Sequence, residues 1–238
     1  MTRVIAMWSG PRNLSTALMY SFAARDDCAV WDEPFYAAYL RLTGLGHPMR
    51  DEVIAAHDAD PASVAAACVA DRPEPLVYQK HMTLHMVPDV PRDWMDRVTN
   101  VFLIRHPARV VASYAKKREA PTFDDLGFRQ QADLFDEVTH RQGHPPPVLS
   151  AEAVRSNPEG TLTRLCQTLS IPFSDGMLSW NPGPKPFDGV WAPHWYGAVH
   201  ASIGFDSAEG PLPDLPPHYA RLAEQGMPFY ERLLARAL

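Results

Sequence analysis

Residues 4–16, Val-Ile-Ala-Met-Trp-Ser-Gly-Pro-Arg-Asn-Leu-Ser-Thr, constrain the fold more than any other stretch of this chain. An apolar run of strand-forming residues stops at Gly10-Pro11, and apolar residues at helical spacing follow. The pattern predicts a strand, a tight loop and the start of a helix. Because the first turn of a helix has unpaired backbone N–H groups and partial positive charge, it favours a bound phosphate or sulfate.

Side chains of the predicted loop add further donors for an anion. Arg12 brings a planar guanidinium, and Ser15 and Thr16 bring hydroxyls. A magnesium-nucleotide loop ends in Gly-Lys-Ser/Thr, whereas this chain has Leu14-Ser15-Thr16. The segment therefore predicts a phosphate loop with an altered nucleotide signature.

A simpler interpretation of the same residues needs no ligand. Gly10 and Pro11 can end a strand, and Ser9 or Asn13 can cap the helix that follows. A short motif does not decide between the two interpretations. The rest of the chain has to decide.

Composition limits the classes of function. The 238 residues are 46% hydrophobic and 21% charged, and we expect residues 1–238 to form a single domain. The net charge of −6 argues against a dedicated nucleic-acid binder. The three cysteines form neither a metal pattern nor a disulfide framework, and no apolar run approaches the roughly 20 residues of a membrane span. Since no signal-peptide pattern is visible, we expect a cytoplasmic protein.

Two short strand candidates are followed by residues that can accept a proton. Residues 28–31 lead to Glu33, and residues 76–80 lead to His81. Because ligands collect at the carboxyl ends of parallel strands, we expect both side chains near the first loop, where either can act as a general base. Glu33 can instead belong to an acidic turn before a helix that starts near Pro34.

His81 and His85 have the spacing of two metal ligands on one helix face. No glutamate lies between them in the metalloprotease pattern, and no third ligand is apparent. We therefore expect no metal site.

Residues 99–104 are nearly all apolar, which is typical of a strand at the centre of a parallel sheet. Arg105 follows, Pro107 takes the first position of a helix, and we expect that helix to run through residues 116–118. Ser113 lies about two turns along it, so Arg105 and Ser113 together are placed to hold a second anion. In a simpler interpretation, Arg105 forms a surface salt bridge and Ser113 is a small packing residue.

The other segments complete an α/β pattern. Residues 35–72 are mostly helical, and a further helix is expected over residues 124–142. Residues 148–150 read as a last inner strand, and residues 216–235 as a closing amphipathic helix. We interpret the aromatic tail at 179–204 mainly as a clamp that packs onto the domain. The expected fold is a parallel sheet flanked by helices.

Three segments together resemble the sulfotransferase superfamily, whose members use 3′-phosphoadenosine-5′-phosphosulfate (PAPS). Residues 11–16 resemble the phosphosulfate loop of that family. Residues 105–113 resemble its 3′-phosphate segment, in which an arginine and a serine eight positions later hold the phosphate. Residues 151–173 resemble the next strand–helix unit. The whole chain also resembles the branch that includes the sulfotransferase-like part of plant branched-chain aminotransferase-like proteins, in which Asp-Glu-Pro-Phe-Tyr and Gln-Lys-His-Met recur.

The resemblance implies a P-loop NTPase-like fold and metal-free transfer of a sulfuryl group from PAPS to a hydroxyl or amine of a small-molecule, carbohydrate or lipid acceptor. A P-loop kinase that uses ATP and a non-catalytic nucleotide-binding protein are the alternative classes. Arg12 is expected to hold the phosphosulfate and to stabilise the bridging oxygen as it leaves, which is a catalytic role. The expected donor-binding residues are Gly10, Pro11, Arg12, Asn13, Leu14, Ser15, Thr16, Arg105 and Ser113.

Two features of the resemblance bear on the chemistry. Leu14 stands where the family usually has glycine, and the C-terminal Arg-Lys-Gly segment of the animal cytosolic enzymes is absent. For the base we favour His81, because an imidazole with a pKa of about 6.5 is ready near neutral pH. We assign Glu33 to orienting the acceptor or Arg12. The oligomeric state is left open.

Overall fold

The computed structural model describes residues 2–116 and 120–238. Its centre is a five-stranded sheet in the order β2-β3-β1-β4-β5, and every pairing is parallel. This confirms the expected parallel α/β sheet. The strands are β1 (Arg3–Ser9), β2 (Cys28–Asp32), β3 (Leu76–Met82), β4 (Thr99–Ile104) and β5 (Val148–Ser150).

Helices cover both faces of the sheet. None of the helices in the described part of the chain is both long and apolar enough to cross a bilayer. The helices are α1 (Ser15–Ala23), α2 (Tyr36–Thr43), α3 (Arg50–Ala56), α4 (Pro61–Cys68), α5 (Pro107–Ala115), α6 (Phe128–Gln142), α7 (Ala151–Ser156), α8 (Pro158–Thr168), α9 (Ala192–Trp195), α10 (Gly197–His200) and α11 (Pro217–Leu234).

Alternate residues of β1 enter two separate cores. Ile5 and Met7 pack on the face covered by α1 and α8. Val4, Ala6 and Trp8 pack on the opposite face, with α4, α6 and α11. Successive side chains of a strand point to opposite faces, so a central strand covered on both sides is apolar throughout. This explains the uninterrupted apolar run at the start of the sequence.

Several expected boundaries differ from the structure. The helix that starts at Pro107 ends at Ala115, and residues 117 and 118 of the expected extension lie outside the described residues. The helix expected over 124–142 is divided, because Gly127 has a positive φ of 72° and separates a short 3₁₀ turn from α6. The strand β5 lies at the edge of the sheet, not inside it.

The most consequential difference concerns β3, which continues to Met82 and therefore contains His81. In the register with β1, Lys80 pairs with Met7 and His81 pairs with Trp8. Because neighbouring side chains alternate, Lys80 lies on the face of the sheet that carries α1, and His81 lies on the other face.

Candidate active site

The loop between β1 and α1 leaves the start of the helix open to a ligand. Arg12 and Leu14 have positive φ values of 62° and 71°, and Leu14 is the N-cap residue with no side-chain cap. The Asn13 side chain instead donates a hydrogen bond to the carbonyl of Leu103 at 3.2 Å. The interpretation in which Ser9 or Asn13 caps this helix is therefore wrong, and the first N–H groups of α1 are available for an anion.

Leu14 occupies the position at which the family resemblance leads us to expect glycine. Its backbone has the left-handed conformation that glycine adopts without strain and that costs other residues about 1 kcal/mol or more. The side chain packs against the core beneath α1. The loop thus keeps the shape associated with glycine although a leucine is present.

A cavity of about 250 Å³ opens in front of this loop. The structure brings the two predicted anion segments together there, because Arg12 Nε donates to Ser113 Oγ at 2.9 Å and an Arg105 terminal nitrogen donates to the Arg12 carbonyl at 2.8 Å. Burial, and then the charge of Arg105, lower the Arg12 pKa. Other lining residues include Asn13, Leu14, Ser15, Thr16, Arg155, Trp195, Tyr196, Val199, Phe205 and Asp206.

Arg105 has a second partner. Its other terminal nitrogen is bonded to Glu209, which also lies 3.3 Å from Arg109 Nε and 3.6 Å from Arg155. Arg105 therefore forms an ion pair, as the simpler interpretation expected, but the pair is largely buried and not at the surface, and Arg105 also lines the cavity. Ser113 takes part in a hydrogen bond with Arg12, which a purely packing residue does not require.

A second cavity, of about 120 Å³, adjoins the first. The two share lining from Arg12, Ser15 and Thr16, so the loop lies between them. The polar groups of the second cavity include Glu33, Lys80 and His85. Its aromatic lining consists of Tyr36, Tyr39, His47, Tyr114, Trp191, Trp195 and Tyr196, and Pro11, Met82 and Leu84 complete the wall.

A buried cluster of charged groups forms the floor of the second cavity. Lys80 Nζ donates to Asp32 at 2.9 Å, to Glu33 at 2.5 Å and to the Tyr196 hydroxyl at 2.8 Å. The Tyr196 hydroxyl donates in turn to Asp32 at 2.7 Å. Burial lowers the Lys80 pKa, but the charges of Asp32 and Glu33 more than offset this effect, so the pKa lies above its ordinary value. Lys80 is therefore a permanent cation held by two carboxylates.

Glu33 lies at the carboxyl end of β2, on the rim that the sequence predicted. Its backbone has a positive φ of 42°, and its N–H donates to the Lys80 carbonyl at 2.9 Å. One carboxylate oxygen is bonded to Lys80, and the other lies 3.8 Å from His85 Nε2. The following helix begins at Tyr36, shortly after Pro34. Glu33 and Arg12 both line the second cavity.

His81 is placed elsewhere. Its ring stacks on Trp8 at a centroid distance of 4.6 Å, and Nε2 lies 3.1 Å from the side-chain oxygen of Gln79. The side chain is almost completely buried, and burial lowers its pKa to about 3. His81 and Gly10 are absent from the described residues that line the two cavities.

The two histidines that have metal-ligand spacing in the sequence do not share a helix. His81 belongs to β3, and His85 lies in a 3₁₀ turn. Within residues 2–116 and 120–238, the structure contains no group of three or more side chains suited to hold a metal ion.

Sequence reasoning missed several residues that shape the site. The apolar pattern predicts that the strand ends at Lys80, two residues before its observed end at Met82, and therefore points to His81 and not to Lys80. Tyr196 was interpreted as part of a packing clamp, although its hydroxyl is bonded to Lys80. Arg155 lines the first cavity and lies close to Glu209, although both residues are distant in sequence from the loop between β1 and α1. Extending the predicted strand through Met82 places Lys80 and His81 on opposite faces of the sheet. That was the sequence feature from which the position of Lys80 could have been predicted.

Comparison with known proteins identifies the family. A family profile described as "Sulfotransferase domain" matches residues 2–237, and the chain therefore belongs to the sulfotransferase-domain family. The chain is 38% identical over 231 residues to branched-chain-amino-acid aminotransferase-like protein 1 of Arabidopsis thaliana. That match covers 97% of this chain but 41% of the plant protein, so the chain spans about two fifths of the length of its curated relative.

Solved structures show the same fold at low sequence identity. A sulfotransferase from Alicyclobacillus acidocaldarius is 10% identical with a TM-score of 0.57, and the match covers 100% of this chain and 98% of that one. The sulfotransferase domain of the Synechococcus PCC 7002 olefin synthase is 16% identical with a TM-score of 0.51, and 94% of this chain and 95% of that one are covered. At these identities the likeness extends to the fold alone.

Proposed function

We propose that the protein transfers a sulfuryl group from PAPS to a hydroxyl or amine acceptor. The observation that carries the proposal is the meeting of two cavities at one loop. An arginine-rich cavity suits the nucleotide donor, an aromatic cavity suits the acceptor, and Arg12 lines both. Membership of the sulfotransferase-domain family supports the same assignment.

The donor is held by positive charge and by backbone N–H groups. The phosphosulfate lies at the start of α1, where Arg12 and the hydroxyls of Ser15 and Thr16 contact it. The 3′-phosphate lies near Arg105 and Ser113. Sulfuryl transfer depends mainly on positioning and on neutralising the charge of the leaving group.

The acceptor lies in the aromatic cavity, and its reacting atom faces the sulfuryl group. The acceptor oxygen or nitrogen forms a bond to sulfur while the bond between sulfur and the bridging phosphate oxygen breaks. Glu33 takes the acceptor proton, and 3′-phosphoadenosine-5′-phosphate (PAP) leaves with the bond electrons. We assign the base to Glu33 and not to His81, because Glu33 lines the acceptor cavity and the His81 ring is enclosed by Trp8 and Trp94. Lys80 holds one carboxylate oxygen of Glu33 in place.

Replacing Arg105 with alanine is expected to remove the preference for PAP over AMP. In the wild type, PAP is expected to raise the melting temperature more than AMP does, because charge-assisted contacts reach the 3′-phosphate. A ligand at a hundredfold excess over its Kd stabilises the folded state by about 2.7 kcal/mol, which a thermal-shift assay detects. Arg129→Ala, at an exposed site on α6, is the matched control. Equal shifts with PAP and AMP in the wild type would contradict the 3′-phosphate assignment.

Donor binding and turnover are expected to survive EDTA. A sulfuryl group carries less negative charge than a phosphoryl group, and Arg12 with the helix N–H groups supplies the neutralisation at this site. PAP affinity measured with 5 mM EDTA and with 5 mM MgCl₂ is expected to agree within about twofold. A strict requirement for magnesium would favour a kinase that uses ATP.

A further inference from the structure

Glu209 fills the centre of an arginine cluster beside the donor cavity. One carboxylate oxygen is bonded to Arg105 and lies 3.6 Å from Arg155, and the other lies 3.3 Å from Arg109 Nε. Only 9% of the Glu209 side chain is exposed. The carboxylate thus occupies the position, and uses the donors, that an anionic group of a ligand would use.

The cluster has more capacity than Glu209 uses. Among the described residues, Arg105 Nε, Arg109 Nε and one oxygen of Glu209 are buried without a hydrogen-bond partner. The three arginines pair with two carboxylates, those of Glu209 and Asp206, so the cluster keeps an excess of positive charge. A phosphate group has three terminal oxygens in a tetrahedral arrangement, so it can satisfy donors that a planar carboxylate leaves unpaired.

The segment that carries Glu209 borders the nucleotide cavity. Phe205 and Asp206 line that cavity, and Asp206 pairs with Arg155 at 3.1 Å. Arg109 is bonded to the Gly210 carbonyl. Displacement of Glu209 is therefore expected to loosen residues 205–210, because Asp206 and Gly210 contact arginines of the same cluster.

We propose that Glu209 is an internal ligand of the 3′-phosphate site and that the 3′-phosphate of the donor displaces it. The inference rests on the proposed function, because that function assigns the Arg105 site to PAPS. A carboxylate and a phosphate dianion that contact the same arginines repel each other, so the two groups cannot occupy the cluster together. Glu209 lowers the affinity for nucleotides with a 3′-phosphate, and AMP leaves it in place.

Isothermal titration calorimetry of Glu209→Gln tests this inference. The variant is expected to bind PAP on the order of tenfold more tightly than the wild type, because PAP no longer has to displace a carboxylate from three arginines. Its affinity for AMP is expected to stay within about twofold. Asp214→Asn removes the same charge from an exposed site nearby and is expected to change neither affinity.

The failures of the two proposals are distinguishable. If the wild type prefers PAP to AMP and Glu209→Gln binds PAP no more tightly, the displacement is wrong and the proposed donor site stands. If neither protein prefers PAP to AMP, the 3′-phosphate site itself is wrong. Weaker PAP binding by Glu209→Gln would show that Glu209 supports the donor site and does not compete for it.

Proteolysis of the wild type provides a test that no folding defect can confuse. A glutamate-specific endoproteinase is expected to cut after Glu209 faster when its carboxylate is out of the cluster, because the side chain, held by arginines, must enter the protease. PAP is expected to accelerate that cut several-fold, as followed by mass spectrometry, whereas AMP leaves its rate unchanged. Protection of this bond by PAP would overturn the displacement, because a ligand that binds without moving Glu209 makes the segment less accessible.

Discussion

Replacing Lys80 with methionine is expected to lower the free energy of unfolding by about 3–5 kcal/mol. Lys80 is fully buried and is bonded to Asp32 and Glu33. Methionine fills a similar volume but leaves two neighbouring carboxylates without their cation. Removing one partner of a buried ion pair costs far more than the pair contributes, because the remaining charge stays desolvated.

The loss is expected to depend on pH. Burial holds the pKa of Asp32 above its unfolded value near 4, and the Lys80 charge opposes that effect. Removing Lys80 therefore raises the Asp32 pKa further, and the folded state of the variant favours the protonated form of Asp32. The difference in free energy of unfolding between the wild type and the variant is therefore smallest below about pH 4. This difference grows as the pH rises toward neutrality. Chemical denaturation at several pH values measures this difference.

Two further variants complete the test. Lys116→Met, at an exposed lysine, is expected to change the free energy of unfolding by less than about 0.5 kcal/mol. Adding Glu33→Gln to Lys80→Met is expected to recover part of the loss, because one of the two unpaired charges disappears. A loss below about 1 kcal/mol for Lys80→Met alone would show that the cluster is not the desolvated ion group described here.

Glu33→Gln is expected to lower the rate of sulfuryl transfer by about 100-fold or more, which is the usual contribution of a general base. Glutamine has nearly the shape of glutamate but cannot accept the acceptor proton. The donor site is expected to be unaffected, because Lys80 keeps its bond to Asp32 and the Arg12 loop keeps its contacts. Single-turnover measurements at saturating PAPS separate the chemical step from binding.

His81→Phe is the matched control for this experiment. The His81 ring lies among Trp8, Phe35 and Trp94, so a phenyl ring is expected to be accommodated there and turnover to stay near that of the wild type. Near-native turnover by Glu33→Gln together with a loss of two decades in a folded His81→Phe would return the base to His81. Full activity in both variants would show that neither residue is the base.

The fold and the loop between β1 and α1 were predictable because they depend on local pattern. Apolar runs followed by Gly10-Pro11 and by Arg105 marked strand ends, and the carboxyl ends of parallel strands meet at one rim. The same rule placed Glu33 correctly at the end of β2. Helical spacing, and then the resemblance, paired Arg105 with Ser113, and the structure connects both to Arg12.

The second cavity was harder to predict because its lining depends on which face of the sheet each β3 side chain occupies and on distant segments. Ending β3 at Lys80 placed His81 on the rim, whereas two more strand residues move it to the opposite face. Tyr196 and Glu209 reach the site from the C-terminal part of the chain, across long sequence separations. Local sequence patterns do not predict contacts between such distant residues. The aromatic residues at 179–204 are compatible with packing onto the domain and with lining a ligand site.

The most direct test of the central claim is the conversion of PAPS to PAP with transfer of the sulfuryl group. The protein is incubated with ³⁵S-labelled PAPS and a panel of phenols, alcohols and amines, and PAP and labelled product are quantified together. The account predicts equal amounts of PAP and sulfated acceptor with at least one acceptor class, and loss of both with Glu33→Gln. Consumption of ATP in place of PAPS, with a phosphorylated product, would contradict it.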